Sequence, residues 1–219
     1  MKVFKRIYFW IDERLRMHDY IKKDILDKPI PKGLNLSYCF GGITFFLFVM
    51  LAVTGYFMTL YYVPSPEQAY DAVDYMTYEV PLGYVIRGIH HWSANLMMVT
   101  IFIHILRVFI YGAYKRPREI NWITGVFLLC LIMMFGFTGY LLPWDQKAYW
   151  ATRVGTSIMG TVPVVGEYVL ELIRGGQNIG ALTLTRFYAL HVLFLPIATI
   201  IFLIGHFIMV RKQGISTPL

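Results

Sequence analysis

The chain has 219 residues, of which 57% are hydrophobic and only 15% charged, with a net charge of +7 and a mean hydropathy of +0.55. That balance excludes a disordered chain and an ordinary soluble domain, and no basic–aromatic pattern accompanies the positive charge to suggest a nucleic-acid partner. The two cysteines, Cys39 and Cys130, match neither a Cys-x-x-Cys-His attachment site nor a zinc pattern.

At the N-terminus, Phe4, Ile7, Ile11 and Leu15 recur at helical spacing, with Lys5, Arg6, Asp12, Glu13 and Arg16 elsewhere on the turn. This predicts an interfacial helix over residues 1–25, lying on the inner membrane surface or against a partner and ended by Pro29 and Pro31. No cleavable signal peptide is expected, because the first 30 residues are charged throughout and lack an apolar centre. Four apolar stretches follow, near 37–62, 83–111, 121–142 and 187–210. Each suffices for a hydrocarbon core that needs about 20 helical residues. The expected fold is all-α, a four-helix transmembrane bundle forming a single membrane domain over 1–219.

Between the third and fourth spans, residues 143–185 are too long for a plain connection. This stretch opens with Pro-Trp-Asp-Gln at 143–146 and offers two short helices near 147–160 and 165–174, parted by Pro163 and Gly166. These surface helices, with Val154, Gly155, Ile158 and Val165, are expected to roof a pocket for a lipid-soluble ligand. Basic residues fix the orientation. They crowd the segment before the first span, the loop with Lys115, Arg116 and Arg118, and the tail with Arg211 and Lys212. The loop after the first span holds Glu67, Asp71, Asp74 and Glu79. Both termini therefore face the cytoplasmic or equivalent side.

Within the spans, His90 and His104 are 14 residues apart and His191 and His206 are 15 apart, while Gly41 and Gly55, and Gly125 and Gly139, repeat the 14-residue interval. Fourteen helical residues rise about 21 Å and return to within about 40° of the same face. The paired residues thus face one way at two depths, which suits two stacked flat ligands held by histidines, with glycines letting a bulky ring approach the backbone. The second and fourth spans run the same way, so His90 pairs with His191 on the outer side and His104 with His206 on the inner side. The reading is a membrane protein carrying two bis-histidine haems. The 15-residue interval leaves a mismatch of about 60°, which a distortion at Pro196 would absorb. His91 points about 100° away from His90. From spacing alone, Cys39 is a buried thiol at the inner depth and Cys130 an inert packing residue.

These features carry a family resemblance along almost the whole chain. It rests on Tyr-Cys-Phe-Gly-Gly at 38–42, Arg87 to His90, His104 to Arg107, Thr-Gly-Tyr-Leu-Leu-Pro-Trp-Asp-Gln at 138–146, Leu-Thr-Arg-Phe-Tyr at 184–188 and Arg-Lys-Gln-Gly-Ile-Ser at 211–216. The chain resembles cytochrome b6 and the short cytochrome b of Gram-positive quinol–cytochrome c reductases. The resemblance implies that the four histidines bind iron as axial ligands, in the pairing just derived. It also implies that Cys39 anchors a third, c-type haem by one thioether bond. His-His-Trp at 90–92 is closer to the Gram-positive branch and to menaquinone. The Pro-Glu-Trp-Tyr motif of the quinol site is absent, so the resemblance implies a separate subunit IV, with a Rieske iron–sulfur protein, a c-type cytochrome or plastocyanin, and a dimeric complex. The implied activity is quinol oxidation at the outer surface and quinone reduction at the inner one, the Q cycle, in a bacterial cytoplasmic or thylakoid membrane. Arg87 is expected to meet propionates of the outer haem, and Arg107, Lys115 and Arg211 those of the inner one, since unpaired carboxylates near hydrocarbon are costly. Two other classes also carry histidines in membrane spans, a four- or five-helix dihaem anchor and a non-redox channel or metal transporter. A haem-bearing anchor of a hydrogenase or formate dehydrogenase would lack the Pro-Trp-Asp-Gln loop and the glycine pairs. A non-redox transporter would carry acidic residues inside its spans.

Overall fold

The computed structural model describes residues 2–15, 18–19, 22, 27 and 33–216, and all regular structure among them is helical. Helix α1 (Lys2–Leu15) leaves Phe4, Ile7 and Trp10 exposed, with the Arg14 guanidinium 4.2 Å from the Trp10 ring centre. Most of the expected remainder of the interfacial helix, with Pro29 and Pro31, lies outside the described residues.

A 3₁₀ turn (Leu36–Cys39), capped by Asn35 Oδ1 accepting from the Ser37 amide at 3.1 Å, leads into α2 (Phe40–Thr59). No charged residue occurs in α2. Its backbone is internally bonded and its outward Phe46, Val53 and Phe57 are exposed, as a helix facing lipid requires. The acidic loop that follows contains an unexpected helix, α3 (Ala69–Tyr78). Only Ala69, Met76 and Thr77 of it are buried, a stripe too short for periodicity to reveal. Helices α4 (Gly83–Ile110) and α5 (Glu119–Leu141) form the second and third spans. The surface helices are α6 (Gln146–Gly160) and α7 (Gly166–Arg174), close to their expected places. Asp145 of the Pro-Trp-Asp-Gln stretch starts α6 by accepting from the Ala148 amide at 2.7 Å.

The fourth span runs Ala181–Gln213 as α8 (Ala181–Ala189), a π turn (Leu190–Phe194) and α9 (Leu195–Gln213). It starts six residues before its expected boundary at 187, so residues 181–185 belong to the helix and not to the loop. The polar residues there are a helix start: Thr183 Oγ1 accepts from the Gly180 amide at 3.1 Å and donates to the Arg174 carbonyl at 2.6 Å. The first span ends earlier than expected, at Thr59 and not 62.

The π turn explains the unequal intervals. Pro196 lacks an N–H and its ring crowds the carbonyl four residues back. The helix widens just before it, and the Leu195 amide bonds to the Leu190 carbonyl, five residues away. One residue is thereby accommodated without advancing the helix face. The fifteen residues from His191 to His206 do the work of fourteen, and the distortion sits one turn ahead of Pro196.

In the bundle, α2 packs along α4 and α5 along α9, whereas the two histidine-bearing helices, α4 and α9, hardly touch. At mid-depth Leu47, Met97, Ile101 and Ile132 form a buried cluster. A second, of Ala69, Leu141, Leu184 and Phe187, closes the end that the charge pattern reads as the outer one. The α6–α7 hairpin is tied by buried Arg174, which donates to Thr156 Oγ1 (2.7 Å), Ser157 Oγ (2.9 Å), and the carbonyls of Arg153 (3.0 Å) and Gln177 (3.2 Å).

Candidate functional site

Each of the four spaced glycines faces one of the four spaced histidines. A Cβ on Gly55 would lie 3.2 Å from His90 Cε1, and one on Gly139 only 2.6 Å from His191 Cε1. Deeper, a Cβ on Gly41 would lie 2.9 Å from His104 Cε1 and one on Gly125 3.5 Å from His206 Cε1. Glycine helix and histidine helix thus interlock at two levels, Gly55 with His90 and Gly139 with His191 at one, Gly41 with His104 and Gly125 with His206 at the other. At these positions the missing side chain clears the imidazole itself.

Two threonines complete the outer level, and sequence reasoning passed over both. Thr54 Oγ1 donates to the Met50 carbonyl at 2.6 Å and lies 2.9 Å from His90 Nδ1; Thr138 Oγ1 donates to the Met134 carbonyl at 2.8 Å and lies 3.1 Å from His191 Nδ1. A hydroxyl whose proton is already committed accepts from the ring. Such a network suits a proton on Nδ1, the tautomer whose Nε2 lone pair is bare, as a metal ligand needs. The signal was present as a repeated Thr-Gly-Tyr, at 54–56 and 138–140. Phe135 stands edge-on to the His191 ring at 5.4 Å.

At the inner level His104 and His206 line a cavity of about 300 Å³ with Gly41, Gly125, Phe48, Met97 and Thr199. Polar groups gather at its mouth: Tyr38, Arg107, Arg118, Asn121 and Ser216. Buried atoms without partners include Tyr38 Oη, Arg107 Nε, Arg118 Nε, Asn121 Oδ1 and Thr199 Oγ1, all on residues lining this cavity. Arg107 lies over the Tyr38 ring at 3.6 Å and donates to Ser216 Oγ at 3.3 Å. Arg118, the residue capping α5, donates to the Gln213 carbonyl at 3.4 Å. Of the basic residues expected here, Arg107 lines the cavity. Lys115 is exposed and folds against Gly112, and Arg211 is not part of the lining. Arg118 stands there instead, set one turn before Asn121 by the start of α5.

Among the described residues no three His, Cys, Asp or Glu side chains cluster as a metal site. Two protein donors at each level do not satisfy a bare ion. They do fit an iron whose other four ligands come from a macrocycle. The orphaned guanidinium donors fit the carboxylates such a group carries, and the glycine–histidine interlocks fit axial imidazoles held in place. The residues present therefore fit haem.

The remaining expected residues are more dispersed. Arg87, one turn before His90, is half-buried and donates to Thr77 Oγ1 of α3 at 3.2 Å. Cys39 is a free, exposed thiol between the cavity-lining Tyr38 and Gly41, and Cys130 is also exposed. Val154, Ile158 and Val165 present an open apolar surface, with Val154 60% and Ile158 64% exposed. Gly155 turns the other way and seats α6 on α5, where a Cβ would meet Phe137 Cε2 at 2.5 Å.

Comparisons with known proteins extend over this whole arrangement. The family described as Cytochrome b/b6/petB matches residues 25–214. Cytochrome b6 of Tupiella akineta is 48% identical over 214 residues, covering 98% of this chain and 99% of that protein. Cytochrome b6 of Prochlorococcus marinus (strain AS9601) is 45% identical over 213 residues and 97% of each chain. A solved chain titled hyperthermophilic respiratory Complex III matches with a TM-score of 0.89 at 33% identity, covering 95% of this chain and 56% of that one. This chain thus spans about half of the complex III chain and nearly all of its cytochrome b6 relatives. With four membrane-crossing helices and a family match over most of its length, the chain belongs to the cytochrome b/b6 family, haem-carrying electron-transport proteins integral to membranes.

Proposed function

We propose that the chain is the dihaem cytochrome b subunit of a quinol–cytochrome c or quinol–plastocyanin oxidoreductase. In this reading it carries electrons across the membrane between an outer quinol-oxidising site and an inner quinone-reducing site, in a Q cycle. The observation behind it is the fourfold glycine–histidine interlock at two depths, in a chain of this family. His90 and His191 would hold the outer haem b through Nε2, and His104 and His206 the inner one. When bound, the haems supply one-electron chemistry at two levels about 21 Å apart along the helices.

The chain's own residues set the conditions. Thr54 and Thr138 hold the Nδ1 protons and so the orientation of the outer imidazoles. Arg107 and Arg118 place two positive charges at the inner mouth, which favours the more negative, reduced state of a group held there. Moving one charge against the full membrane potential costs about 2.3 kcal/mol per 100 mV, and this inner bias offsets part of it. The exposed Val154, Ile158 and Val165 offer an apolar wall that excludes water from a quinol at the outer surface. Cys39, beside the inner cavity and open on its other side, would anchor a c-type haem.

The complete outer site needs subunit IV, with a Rieske protein and a c-type cytochrome as partners. The complex would be dimeric and embedded in lipid, in a bacterial cytoplasmic or thylakoid membrane, with both termini on the cytoplasmic or stromal side. A reduced-minus-oxidised spectrum of the purified complex tests this: it should count two b haems per chain, and quinol should reduce them. The chain should also stain for haem on a denaturing gel, and Cys39→Ser should abolish the stain while keeping both b haems. One b haem per chain, or haems that quinol does not reduce, would overturn the dihaem quinol-oxidising assignment, and an unstained wild-type band the thioether.

A further inference from the structure

Tyr62 lies just past the end of α2, and its links reach two other parts of the chain. Its hydroxyl donates to the Leu142 carbonyl at 2.7 Å, and its ring stacks on Tyr188 at 5.3 Å and 25°. Leu142 closes α5, where carbonyls lose their helical partners. Two residues on, Trp144 sits at φ +55°, a left-handed conformation that a bulky residue adopts only when its surroundings impose it. Its amide bonds to the Leu141 carbonyl at 2.9 Å. The next residue, Asp145, caps α6, the helix that carries Val154 and Ile158. Tyr188 stands one turn before His191. Tyr62 and Trp144 both pack on the outer cluster of Ala69, Leu141, Leu184 and Phe187.

We infer that Tyr62 is a positioning residue for the outer quinol-oxidising site: its hydroxyl fixes the strained corner at residues 142–145, and its ring ties that corner to the helix turn bearing His191. The part concerning turnover rests on the function proposed above; the part concerning the corner does not. Losing the hydroxyl frees the Leu142 carbonyl, and the movement passes through Trp144 and the Asp145 cap into α6. The histidine rings, held by Thr54 and Thr138, stay in place. Phenylalanine keeps the ring stack and removes only the donor. Leucine removes both.

The test uses the intact complex with Tyr62→Phe and Tyr62→Leu. Amide exchange over residues 144–149 should rise about fivefold in Tyr62→Phe, the loosening expected of one lost hydrogen bond. Quinol-oxidation kcat and outer-site inhibitor affinity should fall, with both b haems retained and their spectra unchanged. Tyr62→Leu should in addition disturb the spectrum of the outer haem alone. Wild-type exchange rates in Tyr62→Phe would overturn the claim that the hydroxyl holds the corner. Faster exchange with unchanged turnover and inhibitor affinity would overturn its role at the quinol site. A wild-type complex unable to oxidise quinol would defeat the proposed function instead, and the exchange comparison would still decide whether Tyr62 fixes the corner.

Discussion

The space beside each histidine is graded, and the gradation is testable residue by residue. A methyl group on Gly139 would come within 2.6 Å of the His191 ring, one on Gly41 within 2.9 Å of His104, one on Gly55 within 3.2 Å of His90, and one on Gly125 only within 3.5 Å of His206. Gly139→Ala should therefore cost most outer haem, Gly41→Ala should weaken the inner one, Gly55→Ala should do less to the outer, and Gly125→Ala should be nearly silent. Haem content per chain measures the order. Thr54→Val keeps the shape of the side chain and deletes the acceptor for His90 Nδ1. Loss of such a partner costs about tenfold or more in ligand affinity. Thr54→Val and Thr138→Val should accordingly lower outer haem retention during competition with apo-myoglobin and leave the inner haem unchanged.

The fourth span shows how one element reconciles two constraints. Its histidines are one residue too far apart for an ideal helix, and the π turn before Pro196 takes up the excess. Restoring the missing donor with Pro196→Ala should let residues 190–194 close as an α-helix and return the mismatch of about 60°. The outer haem should then be lost or spectrally heterogeneous. Deleting Val192 in the same background, which makes the interval 14, should recover it. The four spans, the α6 and α7 helices and the matching of spaced glycines to spaced histidines were legible in the sequence because each repeats a period or fills a length. Less was legible where the cause is tertiary. α3 buries only three residues, and the start of α8 uses polar Thr183 for capping. That Arg118 lines the inner cavity and Lys115 does not depends on where the α5 cap points, which no spacing encodes. Thr54 and Thr138 had a repeated tripeptide as their signal, but their hydroxyls matter only through hydrogen bonds seen in the fold.

Viewed as a whole, the molecule is two packed helix pairs, α2 with α4 and α5 with α9, and the space between the pairs contains the inner cavity. Groups bridging His90 to His191 and His104 to His206 would join these pairs across that space, so haem removal should speed amide exchange in α4 and α9 more than in α2. The central claim is that the histidines pair by depth, which the four single His→Ala variants address most directly through spectral haem counts. The account predicts that His90→Ala and His191→Ala lose the same b haem and that His104→Ala and His206→Ala lose the other. If His104→Ala and His191→Ala instead deplete one haem, or if any single variant leaves both haems bound, the two-level assignment is contradicted.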